Sequence, residues 1–218
     1  VTRSDVTLSF LPLSHVFQRM VDYLLLHRGC TIAYARSLQT VPEDLSAVRP
    51  TIVVSVPRLY EKIYNRVMEA RGLKGALVQW AREIGEAKVA EEEAGRSLGL
   101  LSRGAYAAAD RLVFRKIRRT LGGRLRFFIS GGAPLSPEIN RFFYAAGVTI
   151  LEGYGLTETS PVTNVNTPYW FRIGTVGKPV ANTEIQIAED GEIMVRGPQV
   201  MKGYHNLPEA TGEALTPD

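Results

Sequence analysis

Short apolar runs alternate with helical segments at the start of the chain, and this alternation restricts the possible folds more than any other feature. Val6 to Leu11, Cys30 to Ala35 and Thr51 to Val56 have the lengths and residue types of strands. Between them, His15 to Arg28 repeats its apolar residues at helical spacing, and Pro42 to Val48 is a short second helix. Because crossover helices join parallel strands, we predict an α/β fold in which mainly parallel sheet layers are flanked by helices.

The middle of the chain continues this pattern after a long helical insertion. Residues 58–121 have helical spacing, and we interpret their charged run at 82–96 as the solvated side of the insertion. Strands are then predicted at Leu125 to Ile129 and at Val148 to Leu151, separated by a helix that Ser136 caps. The ends of these two strands are therefore expected to meet at one edge of the sheet.

Beyond residue 171 the sequence changes to alternating apolar and polar residues. Residues 183–188 and 192–196 alternate on either side of Glu189-Asp190-Gly191, which predicts a hairpin. We therefore expect two parts, an α/β part over residues 1–171 and a β-rich C-terminal lobe over residues 172–218.

The composition is that of an ordinary globular chain and excludes few functions. The 218 residues contain a single cysteine, Cys30, which rules out an internal disulfide and a cysteine-based zinc site. No apolar run approaches the ~20 residues that span a bilayer, and the net charge of +4 suits anionic ligands. The chain begins at Val1 rather than Met, so we expect it to be an interior piece of a longer protein.

The segment at 152–159 carries the residues best suited to bind a nucleotide. It follows the strand predicted to end at Leu151, and ligands bind at such strand ends in open α/β sheets. Tyr154 offers a flat ring for a purine, and the glycines on either side let the backbone approach a ligand closely. Thr157 offers a hydroxyl to a phosphate oxygen, and Glu158 is a hard oxygen ligand for Mg²⁺. The alternative is a polar turn that only caps a buried strand.

Three other features are weaker candidates. Gly174 to Pro179 is similar to a phosphate-binding loop, but its glycine spacing is too short and a proline replaces the required hydroxyl, so we interpret it as a turn. Seven basic residues between Arg111 and Arg126 could meet a membrane, CoA phosphates or nucleic acid. Since aromatic residues do not interleave with them as binding of a single strand requires, a solvated helix face is the better interpretation. His15 stands at another strand end, where a lone histidine is more often structural than catalytic.

Five segments of the sequence are more informative together than separately. They are Leu11 to Phe17, Val56 to Ile63, Ser130 to Leu135, Gly153 to Glu158, and Gly191 to Pro198 with Gly203-Tyr204. In this order they resemble segments of long-chain fatty acid–CoA ligases, which belong to the adenylate-forming (AMP-binding) superfamily, and the match runs nearly end to end. The resemblance implies an internal fragment of the N-terminal domain of such a ligase, without its lysine-bearing C-terminal domain.

The resemblance also implies a role for each candidate residue. It assigns catalysis to Thr157, Glu158 and His15, with Mg²⁺ on Glu158. Tyr154 would stack on adenine and Thr157 would hold the α-phosphate. The implied nucleotide-binding set is Gly132, Ala133, Pro134, Glu152, Gly153, Tyr154, Gly155 and Thr157. The implied acyl-binding set is His15, Gly131, Gly132 and Gly155.

The implied reaction has two steps, with ATP and CoA as co-substrates and Mg²⁺ as the cofactor. A fatty acid carboxylate attacks the α-phosphate of ATP to give acyl-adenylate and pyrophosphate, and the CoA thiol then displaces AMP. The resemblance further implies a cytoplasmic enzyme with no nucleic-acid partner, and it allows peripheral membrane association and a homo-oligomer. The phosphate loop, the ribose-binding aspartate and the catalytic lysine of the family have no counterpart in this sequence, so we expect the isolated chain to be inactive.

Two alternatives to this function stay open. Another adenylate-forming enzyme, such as a fatty acyl-AMP ligase or a carrier-protein adenylation domain, would share the same motifs. A nucleotide-binding module without catalysis would bind adenylates but release no pyrophosphate.

Overall fold

The computed structural model describes residues 1–216, and its first part follows the predicted alternation of strands and helices. The three strands predicted before residue 57 are present, and each is shorter than the apolar run that predicted it. These elements are β1 (Val6–Ser9), α1 (Val16–His27), β2 (Thr31–Tyr34), α2 (Val41–Val48) and β3 (Ile52–Ser55).

The predicted helical insertion is a chain of helices between β3 and the next strand. Its members are α3 (Pro57–Met68), α4 (Gly72–Glu93), α5 (Leu100–Ala109) and α6 (Arg115–Thr120). A π-helical turn at Asp110–Phe114 joins the last two without a break. None of the helices within residues 1–216 is both long and apolar enough to cross a membrane.

One seven-stranded sheet organises the fold. It is completed by β4 (Phe127–Ser130), α7 (Pro137–Ala145), β5 (Thr149–Gly155), β6 (Val162–Val165) and β7 (Lys178–Pro179). The strand order is β2-β1-β3-β4-β5-β6-β7, with β1 to β5 parallel and the last two strands antiparallel. The α/β fold class with a mainly parallel sheet is therefore confirmed. One detail was wrong: Ser136 stands at the N-cap of α7, but its side chain makes no capping hydrogen bond.

The C-terminal segment contains the predicted hairpin and one helix that was not predicted. β8 (Glu184–Ile187) and β9 (Ile193–Arg196) pair antiparallel, as the alternating pattern indicated. The short helix α8 (Pro208–Ala214) follows. Strand β7 lies beyond residue 171 but pairs with β6 of the large sheet. The division between residues 171 and 172 stays a prediction.

An aromatic core covers one face of the central strands. Tyr60 on α3 is fully buried, and its ring meets that of Phe128 edge-on at a centroid distance of 5.1 Å. On the opposite face, Val21 and Leu25 of α1 pack against Val54. Because β3 is covered on both faces, its carboxyl end is held rigidly, and loops that follow the central strands start from fixed positions.

Close packing of α4 on α7 predicts opposite effects for the same substitution at two helical glycines. A Cβ at Gly85 would lie 2.7 Å from the Cβ of Ala145 and 3.0 Å from the ring of Phe114. We expect Gly85→Ala to lower the free energy of unfolding by about 1–3 kcal/mol because the helices must move apart. At Gly104 of α5 nothing lies within 4 Å of such a Cβ, so Gly104→Ala should stabilise by about 0.5–1 kcal/mol. Urea unfolding of both variants checks the pair, and stabilisation by Gly85→Ala would contradict the packing.

Candidate active site

Strand β5 runs through the predicted nucleotide motif instead of ending before it. The sequence placed the strand end at Leu151, but the strand continues to Gly155, so that part of the prediction was wrong. Up to Glu152 the strand pairs in parallel with β4, and from Gly153 it pairs antiparallel with β6. Strand β6 provides hydrogen-bond partners for the backbone of residues 153–155. In a loop, these backbone groups would bond to water or to a ligand instead.

Gly155 permits the chain reversal that creates this second partner. A Cβ at this position would overlap the carbonyl oxygen of Pro161, so no larger residue fits without moving the turn. Gly153 is also close to the opposite strand, since a Cβ there would lie 3.2 Å from the Asn164 carbonyl oxygen. Tyr154, between the two glycines, is half-buried. The glycines thus serve the close approach of two backbone segments of this chain.

Residues 156–161 form a compact turn that Thr159 holds together. Its buried hydroxyl accepts a hydrogen bond from the Leu156 N–H at 3.0 Å and lies 2.8 Å from the Pro161 carbonyl oxygen, to which it can donate. The same turn contains a short 3₁₀ segment at Thr157–Thr159. The shape of the turn therefore depends on Thr159, whose hydroxyl joins both ends of the turn.

Thr157 and Glu158 differ in the hydrogen bonds that their side chains make with the rest of the protein. Thr157 is exposed, and its hydroxyl makes no hydrogen bond with any residue of the described chain 1–216. Glu158 is half-buried, and its Oε1 accepts a hydrogen bond of 2.7 Å from the Tyr204 hydroxyl. This hydrogen bond, followed by one from the backbone, lowers the pKa of Glu158 below its ordinary value. The carboxylate is consequently charged at neutral pH.

Glu158 supplies one carboxylate, which fits Mg²⁺ where oxygens from outside the protein complete the coordination. Within residues 1–216 no group of three or more His, Cys, Asp or Glu side chains is placed to share a metal ion. Magnesium is commonly bound by one or two carboxylates, with phosphate and water oxygens completing its coordination. Since no other residue of the described chain donates a hydrogen bond to Oε2 of Glu158, this carboxylate oxygen is available for such an ion.

The loop after β4 presents an exposed surface on a buried base. Gly132, Ala133 and Pro134 are exposed, whereas the residues that flank them, Gly131 and Leu135, are buried. A Cβ at Gly131 would lie 3.0 Å from the ring of Phe17 on α1. The absence of a side chain at Gly131 therefore allows the loop to rest on the beginning of α1.

Glu152 anchors this loop from the neighbouring strand. Its side chain is only 6% exposed, and its two oxygens accept hydrogen bonds from the Leu135 N–H at 3.3 Å and from the Asn140 amide at 3.0 Å. The strand register places Glu152 beside Ser130, at the end of β4. In this structure the carboxylate contacts the protein interior, and the nucleotide-binding role assigned to Glu152 stays a prediction.

His15 occupies the N-cap position of α1. Its Nδ1 accepts a hydrogen bond of 3.3 Å from the backbone N–H of Phe17, and its ring is exposed. The structural role considered for this histidine is thus present. Because Phe17 also contacts Gly131, the cap lies close to the loop after β4. Its exposed ring leaves a role toward ligand open as a prediction.

The predicted site residues fall into two groups that meet on β5. The first contains His15, the loop 131–134 and Glu152, joined through α1 and α7. The second contains residues 153–158, joined through β6. Within residues 1–216 no hydrogen bond links His15 to the second group. The two groups are adjacent because Glu152 of the first group and Gly153 of the second are consecutive residues of β5.

Sequence reasoning missed two side chains that hold these groups in place. Asn140 is a buried polar residue in the apolar stripe of α7, and that position in the helix was the available signal for it. Tyr204 was noted only as part of a motif in the C-terminal lobe. No spacing rule connects it to Glu158, which lies 46 residues earlier in the chain.

Comparison with known proteins finds similar sequences in one family. The family described as AMP-binding enzyme matches residues 1–205. Long-chain-fatty-acid–CoA ligase FadD15 of Mycobacterium tuberculosis (strain ATCC 25618 / H37Rv) is 41% identical over 98% of this chain and 36% of that protein. Long chain acyl-CoA synthetase 1 of Arabidopsis thaliana is 36% identical over 99% of this chain and 34% of that protein. The chain therefore spans about a third of the length of these relatives.

Solved structures share the fold at low sequence identity. The N-terminal domain of FACL13 from Mycobacterium tuberculosis has a TM-score of 0.64 at 20% identity, over 99% of this chain and 46% of that chain. o-Succinylbenzoate CoA synthetase (MenE) from Bacillus subtilis, in complex with AMP, has a TM-score of 0.66 at 19% identity, over 99% of this chain and 37% of that chain. At these identities the likeness establishes the fold alone.

The anchoring of the loop by Glu152 predicts how two substitutions differ. Glu152→Ala should lower the free energy of unfolding by about 1–3 kcal/mol because two buried donors lose their acceptor. Glu152→Gln should cost less, since the new amide can donate to Asn140 Oδ1, which is buried without a partner in the described chain. Urea unfolding measures the total effect, and hydrogen exchange at the Leu135 amide measures the local one. Equal losses in both variants would contradict this account.

Proposed function

Because the chain belongs to the AMP-binding enzyme family, we propose that it forms part of a long-chain fatty acid–CoA ligase of the AMP-forming class. The proposal is supported by relatives of that name, which match nearly all of the chain at 41% and 42% identity. The observation that carries it is the end of β5, where Tyr154, Thr157 and Glu158 follow one another around a turn. A purine, a phosphate and a metal ion each find a suitable group there.

The proposed first step joins the fatty acid to AMP. The fatty acid carboxylate attacks the α-phosphorus of ATP, a new carboxylate–phosphorus bond forms, and pyrophosphate leaves. Such a step needs in-line positioning and charge neutralisation more than acid–base groups. The exposed Thr157 hydroxyl would donate to an oxygen of the α-phosphate. Mg²⁺ bound at Glu158 would neutralise phosphate charge.

The proposed second step transfers the acyl group to CoA. The CoA thiol loses its proton to solvent, its sulfur attacks the acyl carbonyl carbon, and the bond from that carbon to oxygen breaks so that AMP leaves with the oxygen. In this scheme the exposed loop 132–134 contacts the adenosine, and His15 with Gly131 lies on the acyl side. Phe17 supports this arrangement because it joins the cap of α1 to the loop.

The whole reaction is proposed for the full-length ligase, by which we mean this chain together with the segments that its relatives carry beyond it. The test is ATP–pyrophosphate exchange that depends on fatty acid, followed by acyl-CoA formation with a panel of acids. Exchange without acyl-CoA would indicate a different adenylate-forming enzyme. Binding of ATP without any exchange would indicate a nucleotide-binding module.

Glu158 provides the first prediction for the full-length ligase. Glu158→Ala should lower the rate of exchange by about 100-fold or more because the phosphate charge is no longer neutralised in place. Glu189→Ala is the matched control, since Glu189 is an exposed carboxylate in the turn between β8 and β9 and should have no effect. A near-normal rate in Glu158→Ala would remove this residue from the site.

The isolated chain provides the second prediction. The 218 residues should show no exchange above background, because positioning of ATP requires groups that we assign to other segments of the ligase. The full-length ligase measured under the same conditions is the control. Exchange by the isolated chain that depends on fatty acid would show that this chain alone assembles a working site.

A further inference from the structure

Tyr204 joins the C-terminal segment to the turn that carries Glu158. Its hydroxyl donates to Oε1 of Glu158 at 2.7 Å, and nearby the Met201 N–H donates to the Glu158 carbonyl oxygen at 2.7 Å. Side chain and backbone of the same residue are therefore both held by residues 201–204. No other residue within residues 1–216 donates a hydrogen bond to Oε2 of the carboxylate.

The segment around Tyr204 is itself fixed by α8. The Thr211 hydroxyl accepts a hydrogen bond of 2.9 Å from the Tyr204 N–H and donates one of 2.8 Å to the Leu207 carbonyl oxygen. Gly203 has a φ of 143°, and a Cβ there would lie 2.7 Å from Thr211 Cγ2. This hydrogen bond and the close packing of Gly203 on Thr211 hold the backbone from which the Tyr204 side chain extends.

We propose that Tyr204 is a positioning residue, which holds one oxygen of Glu158 so that the other is directed to a divalent cation on the phosphates of ATP. The inference rests on the proposed function and deepens it, because it assigns a role to a residue outside the nucleotide motif. Without the phenol, the long Glu158 side chain samples several rotamers. Ion binding then carries the entropic cost of fixing the side chain in one of them. Removing a partner that orients a metal ligand commonly lowers metal affinity by about 10–100-fold.

A purely structural role for Tyr204 has a different signature. If the phenol only tied the C-terminal segment to the turn, its loss would weaken ATP binding with and without metal, or would lower stability. If it positions the carboxylate, its loss weakens only the part of ATP binding that depends on the metal. The two roles separate when nucleotide binding is measured in the presence and in the absence of Mg²⁺.

The experiment uses Tyr204→Phe in the full-length ligase, since this change removes the hydroxyl and keeps the ring. Calorimetry measures the affinity for a non-hydrolysable ATP analogue in Mg²⁺ and in EDTA. We expect the affinity in Mg²⁺ to fall by about 10-fold and the affinity in EDTA to stay unchanged. In the exchange assay, the Mg²⁺ concentration at half-maximal rate should rise by a similar factor, and saturating Mg²⁺ should restore most of the maximal rate.

Tyr169→Phe is the matched control because Tyr169 is 98% exposed and should change neither measurement. Equal affinities of Tyr204→Phe and the unmodified enzyme in Mg²⁺ would overturn the inference. So would an equal loss in Mg²⁺ and in EDTA, or a lower Mg²⁺ requirement, since the last result would mean that the phenol competes with the ion. The calorimetric result decides the role of Tyr204 even if the enzyme shows no exchange, an outcome that would refute the proposed function separately.

Discussion

The change of partner along β5 is the constraint on which the candidate site depends. The strand enters as a buried parallel member of the sheet beside β4 and leaves as an antiparallel partner of β6. A parallel strand that is followed by a crossover helix would end in an ordinary loop. Here the reversal after Gly155 supplies the backbone of residues 153–155 with partners from the same chain. The last residues of β5 are therefore ordered before any ligand binds, which lowers the entropy that binding must overcome.

Two glutamates, one on β5 and one in the turn that follows it, have different roles because their surroundings differ. Glu152 is buried, both of its oxygens accept hydrogen bonds from protein donors, and its effect is to fix the loop after β4. Glu158 is half-buried, and only one of its oxygens accepts a hydrogen bond from another residue. A buried carboxylate without donors would be costly, so Glu152 must be satisfied by the fold. The exposed oxygen of Glu158 has water as an alternative partner, and an ion can replace that water.

The sequence predicted the frame of the molecule better than the details of the site. Strands such as Thr51 to Val56 and the hairpin around Gly191 followed from residue type and period, because burial on one or two faces leaves a clear pattern. Strand β6 was missed because its four residues include Thr163 and Asn164, whose side chains are buried yet polar. Gly155 was expected to let the backbone approach a ligand closely, and in the structure the group beside it is the carbonyl oxygen of Pro161 of the same chain. Whether a ligand also approaches there depends on contacts that no local pattern encodes.

The site therefore combines a part that the sheet fixes with a part that distant residues hold. The loop 131–134 and Glu152 rest on strands covered from both sides, so their relative position follows from the core. The turn that carries Thr157 and Glu158 lies outside that core and is held by Thr159 from within and by residues 201–204 from the C-terminal segment. The two groups that we propose to meet phosphate charge thus lie on the part of the site whose position is set by a few hydrogen bonds. Because each such bond contributes only about 0.5–1.5 kcal/mol, the geometry of this turn is the feature of the site most open to change by single substitutions in the C-terminal segment.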